Sequence, residues 1–83
     1  MKIRVKLFAT LADYLPPGTR NNQMEVDVVA DDDVAAVIKR LCLPDKLVHL
    51  VLVNGVYLAP AQRNSRHFVA GDQLAIWPPI AGG

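Results

Sequence analysis

Polar and apolar residues alternate from Lys2 to Phe8, which places Ile3, Val5 and Leu7 on one face of a strand and Lys2, Arg4 and Lys6 on the other. A second alternating run spans Gln23 to Val29, with Met24, Val26 and Val28 directed inward and Glu25 and Asp27 outward. Antiparallel pairing of the two would set Lys and Arg opposite Glu and Asp, so hydrophobic pattern and charge agree on one register. The intervening Ala9 to Asn22 is long for a hairpin connection. Leu11, Ala12, Tyr14 and Leu15 therefore predict a helical turn, which Pro16-Pro17-Gly18 ends.

The period changes at Val34. Val34, Val37, Ile38 and Leu41 recur at i, i+3, i+4, i+7 and make one stripe of an amphipathic helix. Asp31-Asp32-Asp33 precedes it, a run whose role is N-capping and complementing the helix dipole rather than holding a metal. Lys39 and Arg40 suit the other end, and Pro44 closes it. Cys42 lies beside the stripe and reads as a buried, inert thiol rather than a sulfur acceptor.

Val48 to Val53 is apolar but for His49, read as a packed or rim histidine, and runs into Asn54-Gly55, the strongest short hairpin signal. Val56-Tyr57-Leu58 returns. Because Val48 to Val53 is apolar at both sets of alternating positions, the strand is either covered on both faces or lends one face to a partner. Gly71-Asp72 marks a turn before a last strand, Gln73 to Trp77, with Leu74 and Ile76 on one face and Ala75 and Trp77 on the other. The order predicts an α+β fold: a mixed sheet of four to five strands with one main helix packed on one face. The uncovered face would carry Trp77, and we assign Trp77, Val51 and Val53 to a partner interface. The alternative is a Trp covered by its own loop.

Composition narrows the function classes. The chain has 83 residues, enough for one domain, and 52% of them are hydrophobic, which suggests apolar surface left for a partner. Nine basic and eight acidic residues give a net charge of +1, so no nucleic-acid footprint is expected. Arg63, Arg66 and His67 form a small basic stretch, read as a solvated loop rather than a site for an acidic partner. One Cys and two scattered His offer no metal-ligand spacing. No run is long enough to span a membrane, and Met1-Lys2-Ile3-Arg4 alternates unlike a signal peptide, so a cytoplasmic location is expected.

The chain end carries the chemistry. Residues 1–77 read as the folded domain and 78–83 as a flexible tail, in which Pro78 and Pro79 end the sheet and send the chain out extended. Those six residues reach roughly 20 Å, enough to enter another protein's active site. Gly82 and Gly83 place a carboxylate on a segment without Cβ atoms, open to approach from all sides. A free carboxylate is a poor electrophile, so its use requires conversion to an acyl-adenylate or thioester. The competing reading is a disordered end with no role.

Val53-Asn54-Gly55, then Gly71-Asp72-Gln73-Leu74-Ala75-Ile76, then Pro78-Pro79-Ile80-Ala81-Gly82-Gly83, resemble the MoaD/ThiS family of ubiquitin-like sulfur carriers over essentially the whole chain. The Pro-Pro-x-x-Gly-Gly ending is closer to the small subunits of molybdopterin synthase than to the thiazole sulfur carriers. The resemblance implies a ubiquitin-like β-grasp. It further implies that an activating enzyme uses ATP to adenylate Gly83, that a sulfur donor protein converts it to a thiocarboxylate, and that the tail then enters the large subunit of molybdopterin synthase. By the same resemblance Gly82 and Ala81 give access, Ile80 grips a channel wall, and Pro78 and Pro79 limit the entropy lost on threading. Such a chain binds no cofactor or metal and catalyses nothing alone. The same tail would serve a carrier for another pathway (thiamine thiazole, tungsten cofactor, cysteine or tRNA thiolation), and a ubiquitin-like modifier or interaction domain is the reading from another class.

Overall fold

Five short strands and one α-helix among the described residues satisfy the periodicities of the chain. The computed structural model describes residues 1–19 and 21–79, and the strands are β1 (Lys2–Leu7), β2 (Gln23–Asp27), β3 (Leu50–Val53), β4 (Val56–Tyr57) and β5 (Gln73–Trp77). They form one mixed sheet in the order β2-β1-β5-β3-β4, with β1 and β5 parallel and the other neighbours antiparallel. The helix α1 (Val34–Arg40) crosses one face, and 3-10 turns occupy Ala9–Tyr14, Asp45–Leu47 and Pro60–Gln62. This is the ubiquitin-like β-grasp. None of the helices among the described residues is long and apolar enough to cross a membrane.

Register decides which residues form the core. Val5 and Leu7 of β1 stand opposite Leu74 and Ile76 of β5, which in turn stand opposite Val53 and Val51 of β3. All six are buried, together with Ile3, and Val34, Val37 and Ile38 of α1 close over them with Leu11, Leu43 and Phe68. Lys2 pairs with Asp27 and Arg4 stands opposite Glu25, the register that the charges predict. The Lys2 Nζ lies 3.0 Å from Asp27 Oδ1, and that bond raises the pKa of Lys2 and lowers that of Asp27.

Three local readings change. Of the acidic run only Asp33 caps the helix, its Oδ1 accepting from the Ala36 N–H at 2.8 Å. Asp32 instead accepts from the Val29 N–H and from Arg40 at 2.7 Å, and these two bonds, in that order, hold its pKa below the ordinary value. Cys42 is exposed rather than buried, because it follows the helix end with φ +60°, the left-handed position that swings the side chain off the apolar stripe. The basic stretch is built into the fold: the carbonyls of Arg66 and Arg63 accept from the Val34 and Ala35 N–H groups at the start of α1.

Arg66 also ion-pairs with Asp72 at 3.3 Å, and Asp72 is the centre of the loop end of the sheet. Its carboxylate, 4% exposed, accepts from Asn54 Nδ2 at 2.9 Å and from the Val69 N–H at 2.9 Å. Burial opposes its charge, but the Val69, Asn54 and Arg66 donors outweigh it and hold the pKa below the usual carboxylate range. Asn54 and Gly55 both have positive φ, the backbone a two-residue hairpin turn needs, and the Asn54 side chain adds a bond from the Gln73 N–H.

Candidate functional site: the open sheet face and the chain exit

The face of the sheet away from α1 has no covering layer among the described residues. Alternation puts Lys2, Arg4 and Lys6 of β1, Gln73, Ala75 and Trp77 of β5, Leu50 and Leu52 of β3, and Tyr57 of β4 on it. The apolar members are contiguous: Leu50 stands opposite Trp77, Leu52 opposite Ala75 on one side and Tyr57 on the other. Leu50, Leu52 and Trp77 are half-buried and Tyr57 is 56% exposed. Half-exposed aromatic and aliphatic groups in one strip suit a protein interface.

Val51 and Val53, expected at a partner interface, are buried instead. Both are in the core, at 0% and 5% exposure, because their register partners Ile76 and Leu74 face α1. Leu50 and Leu52 take the open positions. Sequence could not choose between the two sets, since the strand is apolar at every position from Leu50 to Val53. Trp77 is on the open face as expected, but one side of its indole is already used. The Phe8 ring stacks on it with centroids 4.2 Å apart and planes 1° apart. Trp77 is therefore not a free anchor: it is half-buried, with one ring face covered by Phe8, the residue that follows β1.

The strip stops where the chain leaves the sheet. The Trp77 carbonyl accepts from the His49 N–H at 3.0 Å and the Ile76 carbonyl from the Phe8 N–H at 3.2 Å, so the last two residues of β5 are held from both sides. His49 is an exposed rim residue whose backbone, not its imidazole, makes this contact. Pro78 is half-buried and Pro79 exposed, directly beyond Trp77. Ile80, Ala81, Gly82 and Gly83 lie outside the described residues.

Arg4 and Lys6 have no carboxylate in ion-pair contact among the described residues, and Lys6 stands between Gln23 and Ala75. What the face offers is an apolar strip bordered by mixed charge, Lys2, Arg4 and Lys6 with Glu25 and Asp27 opposite the first two, placed beside the segment that leads to the terminal glycines.

Comparisons with known proteins bear on that arrangement. The family model for the Mut7-C ubiquitin domain matches residues 1–81. No curated protein sequence matches the chain. Among solved structures, the small archaeal modifier protein 1 of Haloferax volcanii is 29% identical, with a TM-score of 0.72 and full coverage of both chains. The protein of that name from Methanosarcina acetivorans is 20% identical with a TM-score of 0.67, covering 99% of this chain and 96% of that one. Subunit 1 of the Helicobacter pylori molybdopterin-converting factor, solved in complex with subunit 2, is 16% identical with a TM-score of 0.61 and full coverage of both chains. The fold is thus shared by small archaeal modifier proteins and by subunit 1 of a molybdopterin-converting factor.

Proposed function

Because the chain belongs to the Mut7-C ubiquitin family, a group of ubiquitin-like domains, we propose that it is a sulfur carrier whose terminal Gly83 is adenylated and converted to a thiocarboxylate, acting as the small subunit of molybdopterin synthase. The observation that carries this reading is the placement of the apolar strip Leu50, Leu52 and Trp77 directly beside the Pro78-Pro79 exit. A partner docked on the strip would receive the tail without further search.

The chemistry is supplied by partners. A Gly83 carboxylate oxygen attacks the α-phosphorus of ATP and pyrophosphate leaves. The terminal sulfur of a persulfide on the donor then attacks the acyl carbon, and AMP departs with the former carboxylate oxygen. A second thiol of the activating machinery cleaves the S–S bond, is itself oxidised to a disulfide, and leaves the thiocarboxylate on Gly83. This chain's residues bind, orient and present: Leu50, Leu52 and Trp77 adhere, Pro78 and Pro79 limit the entropy lost when the tail is threaded, Ile80 grips the channel, and Ala81 and Gly82 keep the acyl carbon accessible. The large subunit of molybdopterin synthase would receive the loaded tail, and sulfur would pass there to a cyclic pyranopterin phosphate precursor.

A second reading shares the first step. The 29% identity to an archaeal small modifier over the full chain favours transfer of the activated acyl group to a lysine amine, giving an isopeptide and releasing AMP. Intact mass separates the readings. With ATP, a persulfide donor and the activating enzyme of the same cell, the carrier gains the mass of one sulfur in place of one oxygen on the peptide ending in Gly83, and deletion of Gly83 abolishes it with folding intact. Lysine conjugates in cell extract without that mass gain would replace the carrier by the modifier.

A further inference from the structure

Strand β2 ends the sheet on one side, and among the described residues no further strand pairs with its outer edge. The ladder fixes which of its backbone groups point out. The Val28 N–H donates to the Met1 carbonyl at 2.8 Å and the Leu7 N–H to the Asn22 carbonyl at 2.9 Å, so Asn22, Met24, Val26 and Val28 turn their main-chain groups towards β1. Those of Gln23, Glu25 and Asp27 turn outward. Arg40 Nη1 donates to the Asp27 carbonyl at 3.2 Å, which agrees with that direction and closes one end of the edge. The N–H and carbonyl of Gln23 and of Glu25, and the Asp27 N–H, form the open stretch.

We propose that this edge is a docking site for an extended segment of a partner protein in which basic and apolar residues alternate, added to β2 as a sixth strand. The inference goes beyond the carrier reading and holds whichever way Gly83 is used.

Charge decides the occupant. Glu25 and Asp27 are exposed on the open face of the sheet, and Met24 and Val26 are only half-buried on the face of α1. A strand laid alongside therefore meets carboxylates on one face and incompletely covered apolar side chains on the other. On its inner edge β2 already has the complement. Arg4 stands opposite Glu25 and Lys2 opposite Asp27, with Ile3 opposite Val26 and Val5 opposite Met24. Asp27 is held by Lys2 at 3.0 Å, whereas Glu25 has no ion pair among the described residues. A second copy of β2 is the wrong occupant, because it would bring its own carboxylates against these, and like charges directly opposite are destabilising.

The site is short and independent of the apolar strip. With Arg40 on the Asp27 carbonyl, pairing is confined to the five residues of β2. Strand β1 lies between β2 and β5, so a strand added here leaves Leu50, Leu52 and Trp77 uncovered and two partners can be held at once.

The test is a titration of the isotope-labelled full chain with the end-capped peptide Lys-Ile-Arg-Val-Lys-Leu, which copies the alternation of β1, and with its charge-reversed counterpart Glu-Ile-Glu-Val-Glu-Leu. The basic peptide should bind saturably, with slowed hydrogen exchange and the largest amide shifts at Gln23, Glu25 and Asp27. The acidic peptide should bind at least about tenfold more weakly, and Glu25→Lys should narrow that preference at least about fivefold. Where Glu25→Lys disturbs the β1–β2 pairing, Glu25→Gln serves instead, with about a twofold loss of affinity for the basic peptide. No saturable binding up to about 5 mM peptide, or equal affinity for both peptides, overturns the proposal and leaves Glu25 and Asp27 as charges that keep the edge from pairing. Protection that appears on β3 and β5 instead of β2 overturns it in favour of the apolar strip. Self-association of the chain alone that protects the same three amides overturns it in favour of a second copy. A preference unchanged in both variants removes the charge argument and the proposal with it.

Discussion

The helix-covered face of the sheet and its open face are made by the same strands, often by adjacent residues. On the covered side Ile3, Val5, Leu7, Val51, Val53, Leu74 and Ile76 are all removed from water and interlock with α1. On the open side Lys2, Arg4, Lys6 and Gln73 accompany Leu50, Leu52 and Trp77, none of them fully buried. A domain of 83 residues buries only about 60–65% of its unfolded surface, so the covered face must supply most of the hydrophobic stabilisation. The apolar groups left on the other face are then available for something besides folding.

The largest effect should follow from cutting the covered face. Leu74→Ala removes a side chain with 0% exposure that faces both Val5 and Val53 in register, and should cost about 2–4 kcal/mol in urea unfolding. For a small domain that is a large part of its total stability. A loss below about 1 kcal/mol would remove the distinction between the two faces as the source of stability.

Asp72 ties the loop end of both faces together and should rank second. Asp72→Asn keeps the size but removes the charge that Asn54, the Val69 N–H and Arg66 converge upon, with an expected loss of about 1.5–3 kcal/mol near neutral pH. The sign of the pH dependence follows from the lowered pKa: the folded state prefers the carboxylate, so its contribution is fully present above the ordinary carboxylate range. It is lost as pH falls through that range towards the folded-state value. Unfolding free energies of parent and variant should converge on acidification below about pH 4. Parallel pH profiles would mean that the charge of Asp72 contributes nothing.

What could be read from the sequence was what depended on periodicity and local turn chemistry. Lys2, Arg4, Glu25 and Asp27 fixed the β1–β2 register, Val34, Val37, Ile38 and Leu41 the helix, and Asn54-Gly55 the hairpin. Long-range geometry was less accessible. Leu50 to Val53 has no polar residue to mark its exposed side, so the open positions were placed one residue off, at the buried Val51 and Val53. Cys42 was misplaced because a non-glycine left-handed residue after a helix leaves no local signature. Arg66 could not be matched to Asp72 because nothing in the six-residue separation specifies that the loop folds back onto the sheet. Phe8 was visible only as the end of an alternating run. Its meeting with Trp77 requires the parallel β1–β5 pairing, which brings together positions distant in the chain.

The smallest effect on folding, and the sharpest discrimination between faces, is expected at Leu52. It is half-buried between Ala75 and Tyr57, next in sequence to the fully buried Val51 but turned the other way. Leu52→Ala removes surface that is already partly wet and leaves no enclosed cavity, so its stability cost should stay below about 1 kcal/mol. If the strip is where the activating enzyme docks, the same substitution should weaken that binding about tenfold in a titration followed by Trp77 fluorescence, because truncating a central apolar contact typically costs more than 1 kcal/mol of affinity. Val51→Ala should do the reverse, lowering stability more than Leu52→Ala while leaving the dissociation constant within about twofold. Two neighbouring substitutions with crossed effects would establish that this strand divides its labour by face. Equal effects on both measurements would mean that the strip contributes to packing alone and that the partner docks elsewhere on the domain.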